Sequence, residues 1–365
     1  MSSAHLCCPD GAETQSWTSR YVNRYSIDWM LCGSLVSARS VLGSMRSGAG
    51  MDRFRRRAAS KHVLTRWKSI AAACVAVAVT TIHLGVASVA DGAPAHCPDL
   101  YVVAIPGTWE TSNADPGKGM LALSLSDLPG DVQVDYVPYA ATAFPWESEV
   151  YGRSKREAID KARMLVSAMA QACGATRIAL LGYSQGADAA GDLAAEIGTG
   201  LGVVPPHRVV LVGLISDPRR SPGDVLIGPP VPGAGAIGPR PGGFGWLASR
   251  TYTFCVAGDL YCAMPDGDFA GRIAGFFVQL SNPDPEKMGD YQRQATEIVG
   301  DALAAGGLGL LSDQLNASAY EQRKLQIDEF LKSGIHQSYP AYAIGPDAAT
   351  PLTWLRQRII EAASS

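Results

Sequence analysis

From Cys97 onward, short and almost uninterrupted apolar runs alternate with longer amphipathic segments, and that alternation leaves few architectures open. The runs at 100–105, 132–137, 178–182, 209–215 and 252–256 read as strands, several of them apolar on both faces. Between the second and third, the segment 149–173 carries Ile159, Ala162, Val166, Met169 and Cys173 at helical spacing. A second helix is expected over 185–197. A strand that is apolar on both faces needs a cover on both. The expected class is therefore α/β, a three-layer sandwich around a central, mostly parallel sheet.

Two stretches exceed that minimum. Residues 221–245 hold 14 Gly or Pro among 25 and should form no regular structure. Residues 263–334 are helical in pattern and form insertions near the site. There Phe269, Ile273, Phe276, Phe277 and Leu280 make one apolar stripe, to be read either as core or as a lid or membrane-facing surface.

The part before Cys97 is of another kind. Arg53, Arg55, Arg56, Arg57, Lys61, Arg66 and Lys68 precede an uncharged run of 22 residues from Ser69 to Ala90. A basic cluster, an apolar run and small residues at Ser88 and Ala90 make an export signal. The run is also long enough to be an N-terminal membrane anchor. Residues 51–96 are assigned to that segment, 1–50 to an artefactual or disordered extension before Met51, and 97–365 to one exported domain. Residues 1–96 hold 11 Lys+Arg and 5 Asp+Glu, leaving 20 and 29 for the remainder. An acidic body of that kind argues against a nucleic-acid partner. Cys97, Cys173, Cys255 and Cys262 lie beyond the signal without the close pairs of a metal site, so two disulfides are expected, with three connectivities open. No cofactor or metal is called for.

The chemistry centres on Gly182-Tyr183-Ser184-Gln185-Gly186, placed between a strand and a helix. Such a turn projects its serine above the sheet edge, and the flanking glycines let backbone cross closely. A serine hydroxyl needs a histidine base, itself oriented by a carboxylate, in the chain order Ser, Asp or Glu, His. Only His207 and His336 follow Ser184. His207 opens the next strand, at the wrong end of the sheet, which leaves His336. Asp217 and Asp259 both follow strands. Asp259 is favoured because a disulfide across Cys255-Val256-Ala257-Gly258-Asp259-Leu260-Tyr261-Cys262 would hold it still, and Asp217 is the rival. Asp266 and Asp268 read as solvated or capping residues. An oxyanion needs two donors. The N–H of Gln185 is one, and Thr108, in the loop Pro106-Gly107-Thr108-Trp109-Glu110-Thr111, is the candidate for the other.

The serine elbow, the Cys-x-x-Gly-Asp-x-x-Cys loop and the Gly-Thr-Trp-Glu-Thr loop together resemble cutinase-like serine esterases, over residues 97 to about 360. The resemblance implies an α/β-hydrolase fold, the pairings Cys97–Cys173 and Cys255–Cys262, and the triad Ser184, Asp259 and His336. In simple cutinases the histidine lies much closer to the second cysteine of the loop, whereas 73 residues lie between Cys262 and His336 here. That insertion, and the Gly/Pro-rich segment, resemble the larger envelope-associated members from mycolic-acid-containing bacteria. They imply a monomeric esterase, secreted or anchored outside the cytoplasmic membrane, acting on lipid or other acyl esters at the envelope or membrane surface. An acyltransferase would share the acyl-enzyme and differ only in its acceptor. A non-catalytic binding protein should lack a triad member, and none is missing.

Overall fold

The computed structural model describes residues 96–144 and 146–364. The extension at 1–50, and all of the export segment except His96, lie outside the described residues. Strands β1 (Leu100–Ile105), β2 (Val132–Tyr136), β3 (Arg177–Tyr183), β4 (Val209–Ile215), β5 (Val225–Leu226) and β6 (Thr251–Phe254) form one sheet. Their order is β2-β1-β3-β4-β6-β5, and every pair of strands is parallel. The helices are α1 (Ala122–Leu125), α2 (Tyr151–Ala172), α3 (Gln185–Gly198), α4 (Phe269–Gln279), α5 (Met288–Ala305), α6 (Gly307–Leu315), α7 (Ala317–Ser333) and α8 (Pro351–Ser364).

Side chains alternate across the sheet, and each face is apolar. Tyr101, Val103, Ile105, Ile178, Leu180, Val212 and Leu214 pack under α2 and α3, against Ala162, Val166, Ala190 and Leu193. Leu100, Val102, Ala104, Leu181, Leu211 and Ile215 pack on the opposite side, against Leu121 of the turn into α1 and Leu352, Leu355 and Ile359 of α8. This is the physical content of a three-layer α/β sandwich: the central strands are closed to water on both sides. Gly213 shows how closely α8 is seated, because a Cβ there would come within 2.4 Å of Leu355.

The Gly/Pro-rich segment departs from expectation at an isolated bridge, Ala234 to Met264, and at a short strand. Val225 and Leu226 pair with Tyr252 and Thr253 as the edge strand β5, so 221–245 is not wholly irregular. Two residues suffice because β6 offers a free edge and Asp224, whose carboxylate accepts from the Ser221 N–H at 2.7 Å, shapes the turn before them. The insertion 263–334 folds into α4 to α7. Asp268 caps α4 by accepting from Gly271 N–H at 2.8 Å, the capping role read from sequence. Phe269 is buried, whereas Ile273, Phe276, Phe277 and Leu280 are only half-buried. The insertion is fastened to the body by polar contacts: Gly152 N–H to Ser281 Oγ at 2.8 Å, Arg156 to Asp284, and Gln294 to the Ile237 carbonyl at 2.6 Å. Among the described residues no helix is long and apolar enough to cross a membrane.

A parallel sheet brings all its C-terminal strand ends to one edge. The chain after β1 turns to the α8 face through α1, while the chain after β3 enters α3 on the other face. Strand ends that diverge in this way open a crevice at that edge, the usual place for a site in such folds.

Candidate active site

Ser184 stands in that crevice, at the turn from β3 into α3, with φ +55°. Both glycines of the turn are required by close approach rather than by flexibility. A Cβ on Gly182 would lie 2.3 Å from the Gly186 carbonyl oxygen, and one on Gly186 would lie 2.0 Å from that of Ile105. The strained backbone is thus clamped between β1 and the first turn of α3, which aims the serine outward.

His336 arrives from the far end of the insertion, in a short 3-10 turn (Ile335–Gln337) after α7. Its Nε2 is 2.9 Å from Ser184 Oγ, and its Nδ1 is 3.0 Å and 3.2 Å from the two Asp259 carboxylate oxygens. An ionised Asp259 requires the imidazole proton on Nδ1, so Nε2 is left to accept from the serine hydroxyl. Asp259 is fully buried. Burial would push its carboxyl up, but the hydrogen bond and charge of His336, with the hydroxyls of Ser216 and Tyr339, outweigh burial and hold it below the usual range. The imidazole ring lies between Tyr261, 4.4 Å away, and Tyr183, 5.2 Å away, and the Tyr183 hydroxyl donates to the His336 carbonyl at 2.7 Å. Phe330 of α7 approaches the same ring, so the insertion reaches the site directly.

Both disulfides are present, Cys97–Cys173 and Cys255–Cys262, and the second closes the loop that carries Asp259. Asp217, the rival acid, is turned away and bound by Arg240 at 2.6 and 3.1 Å. His207 lies in the turn before β4, at the opposite end of the sheet from Ser184.

The N–H groups of Gln185 and Thr108 meet no acceptor among the described residues. Glu110 shapes the loop that carries Thr108. Its two oxygens accept from Gly107 N–H at 2.8 Å and Met120 N–H at 2.9 Å, and Gly119 is needed because a Cβ there would strike the carboxyl group. Burial raises the Glu110 pKa, against the pull of those two donors. Glu110→Gln must point an amide NH2 at one of them. The expected result is a loss of about 1–3 kcal/mol in a urea titration, with kcat on a p-nitrophenyl ester down about tenfold as the loop shifts. Unchanged values for both would mean that the loop is held by its other bonds, Tyr139 to Pro106 and Trp109 to Ala141.

Sequence reasoning missed Ser216, Tyr339, Glu110 and Arg240. Tyr339 could have been suspected three residues after His336, and Ser216 from its place directly after β4, matching Ser184 directly after β3. No local signal marks Arg240.

A family model described as Cutinase matches residues 96–271. The Carboxylesterase Culp6 homolog of Corynebacterium glutamicum is 34% identical over 208 residues, covering 47% of this chain and 67% of that protein. Among solved structures, the catalytic core domain of acetyl xylan esterase from Trichoderma reesei is similar over 57% of this chain and 100% of its own, with 21% identity and a TM-score of 0.39. Lysin B from Mycobacteriophage D29 is similar over 74% of this chain and 100% of its own, with 16% identity and a TM-score of 0.41.

Proposed function

Because the chain belongs to the cutinase family and is a carboxylic-ester hydrolase, we propose that Ser184, His336 and Asp259 carry its reaction, through an acyl-enzyme formed from lipid acyl esters outside the cytoplasm. The observation that carries this reading is the unbroken hydrogen-bonded chain from Ser184 Oγ through the imidazole to a buried, ionised carboxylate. Ser184 Oγ attacks the acyl carbonyl as His336 Nε2 takes its proton. The N–H groups of Gln185 and Thr108 receive the oxyanion. Collapse of the tetrahedral intermediate expels the alcohol or thiol, protonated by His336, and water then repeats the sequence to release the acid. Asp259 orients the ring and stabilises the imidazolium without taking its proton.

Lipid esters are favoured by the surroundings of the crevice. Trp109 and Trp146 are 56% and 50% exposed at the oxyanion loop, with Phe144 stacked on Trp146 and tilted against Trp109. Export is supported by the two disulfides, which persist in oxidising compartments. The test is a fluorophosphonate carrying a long alkyl chain, applied to the full chain and read by peptide mass. One adduct per molecule on the peptide containing Ser184, formed faster than with a methyl analogue, is the expected result. An adduct elsewhere would remove Ser184 from the mechanism, and equal rates for the two probes would remove the lipid preference.

A further inference from the structure

We propose that Ser216 is a positioning residue of the reaction, acting through Asp259 and His336; the inference rests on the triad reading above. Ser216 directly follows β4, fully buried, with φ +53°. Its Oγ donates to Asp259 Oδ2 at 2.6 Å and lies 3.1 Å from His336 Nδ1. A hydroxyl has one proton, and here the carboxylate receives it. The lone pairs of Ser216 Oγ therefore face the imidazole N–H, which meets three oxygens: both of Asp259 and that of Ser216. One small side chain thus shares with Tyr339 the hold on the carboxylate and alone adds an acceptor where positive charge develops as Ser184 is deprotonated.

The backbone argues the same way. A left-handed φ disfavours any residue with a Cβ and favours glycine. The position is also one a plain strand end would not strain, since Ser216 N–H still reaches the Phe254 carbonyl at 2.9 Å in the line of the sheet. Serine at a glycine-like position is accounted for by what its hydroxyl touches. The same turn sends the next residue, Asp217, away from the imidazole and towards Arg240, so one backbone conformation admits Asp259 as partner and removes its rival. Tyr339 donates to the same oxygen, Asp259 Oδ2, at 2.6 Å, but makes no hydrogen bond to the imidazole nitrogens.

The discriminating variant is Ser216→Gly, because it relieves the backbone while deleting the hydroxyl. Steady-state hydrolysis of a p-nitrophenyl ester by the full chain should show kcat reduced about 10- to 100-fold, with KM and the thermal midpoint at or above their wild-type values. In an Asp259→Asn background the same change should cost less than about twofold, since a residue that acts through Asp259 has nothing left to position. Wild-type kcat in Ser216→Gly, or an equal loss in both backgrounds, would overturn the proposal. An Asp259→Asn enzyme with undiminished kcat would instead overturn the triad reading, and the role of Ser216 with it.

Discussion

Ser184→Ala is expected to lower kcat on any acyl ester by about 10⁶-fold while leaving the fold intact. The argument is that the three side chains act as one unit. His336 Nε2 has a single proton donor to serve, the hydroxyl 2.9 Å away, and without it the imidazole and Asp259 have nothing to activate. His336→Ala should cost about as much alone, and the double variant hardly more than either. Asp259→Asn should cost roughly 10⁴-fold, by favouring the wrong imidazole tautomer. A residue of catalysis over water should survive in each, supplied by the donors at Gln185 and Thr108. Substitution does not disturb the elbow itself, which is built by Gly182 and Gly186, so circular dichroism of Ser184→Ala should match wild type. Retained esterase activity in a folded Ser184→Ala protein would exclude the mechanism.

The largest effect on stability is expected at Arg240. This guanidinium is buried and meets Asp217 at 2.6 Å, Asp192 at 2.9 Å and Asp188 at 3.5 Å, while Lys155 serves Asp188 and Asp192 from the other side. Burial would lower the Arg240 pKa, but the carboxylates raise it above the ordinary arginine range, so it is charged throughout. Arg240→Met leaves three buried carboxylates facing two cations, Lys155 and Arg219. The expected loss is about 3–5 kcal/mol at neutral pH, read from urea midpoints. Its pH dependence follows from Asp192 and Asp217. Burial opposes ionisation of Asp192, yet Lys155, Arg219 and Arg240 hold the carboxyl well below its usual range. A depressed folded-state pKa contributes stability above the unfolded value of about 3.9, and that contribution is lost as pH falls through the folded value. Burial already holds Asp217 above its usual range beside Arg240, so in Arg240→Met that carboxyl takes a proton first. The gap between wild type and Arg240→Met should therefore begin to narrow above about pH 4 and go on narrowing as pH falls. A gap that stayed constant down to acid unfolding would mean that the cluster contributes by packing alone. Because Arg240 also anchors the Gly/Pro-rich segment against α3, its loss should free 221–245 to proteolysis.

The same cluster shows where sequence reasoning ends. The rival Asp217 follows a strand as Asp259 does; only the cysteines flanking Asp259 told the two apart in the sequence, and nothing near Asp217 showed what binds it. Its fate is decided by a guanidinium 23 residues later in the chain and by the left-handed turn at Ser216. Glu110 is similar: its partners Gly107 and Met120 are near in sequence, but only the folded loop reveals that one carboxylate serves both. The apolar stripe of α4 divides in a way no periodicity can express, with Phe269 buried and Phe276 and Phe277 half-buried.

What the chain's own order of residues determined was local: five of the six strands, the helices α2 and α3 on one face of the sheet, and the serine elbow. Those features arise between residues a few positions apart, where alternation, helical spacing and close backbone approach leave a direct mark. The two-residue edge strand, the hydroxyls that hold Asp259, and the capture of Asp217 by Arg240 were decided by the tertiary structure. Each is a hydrogen bond or charge contact between segments tens of residues apart, and its energy depends on a distance that exists only once the sheet has brought those segments to one edge.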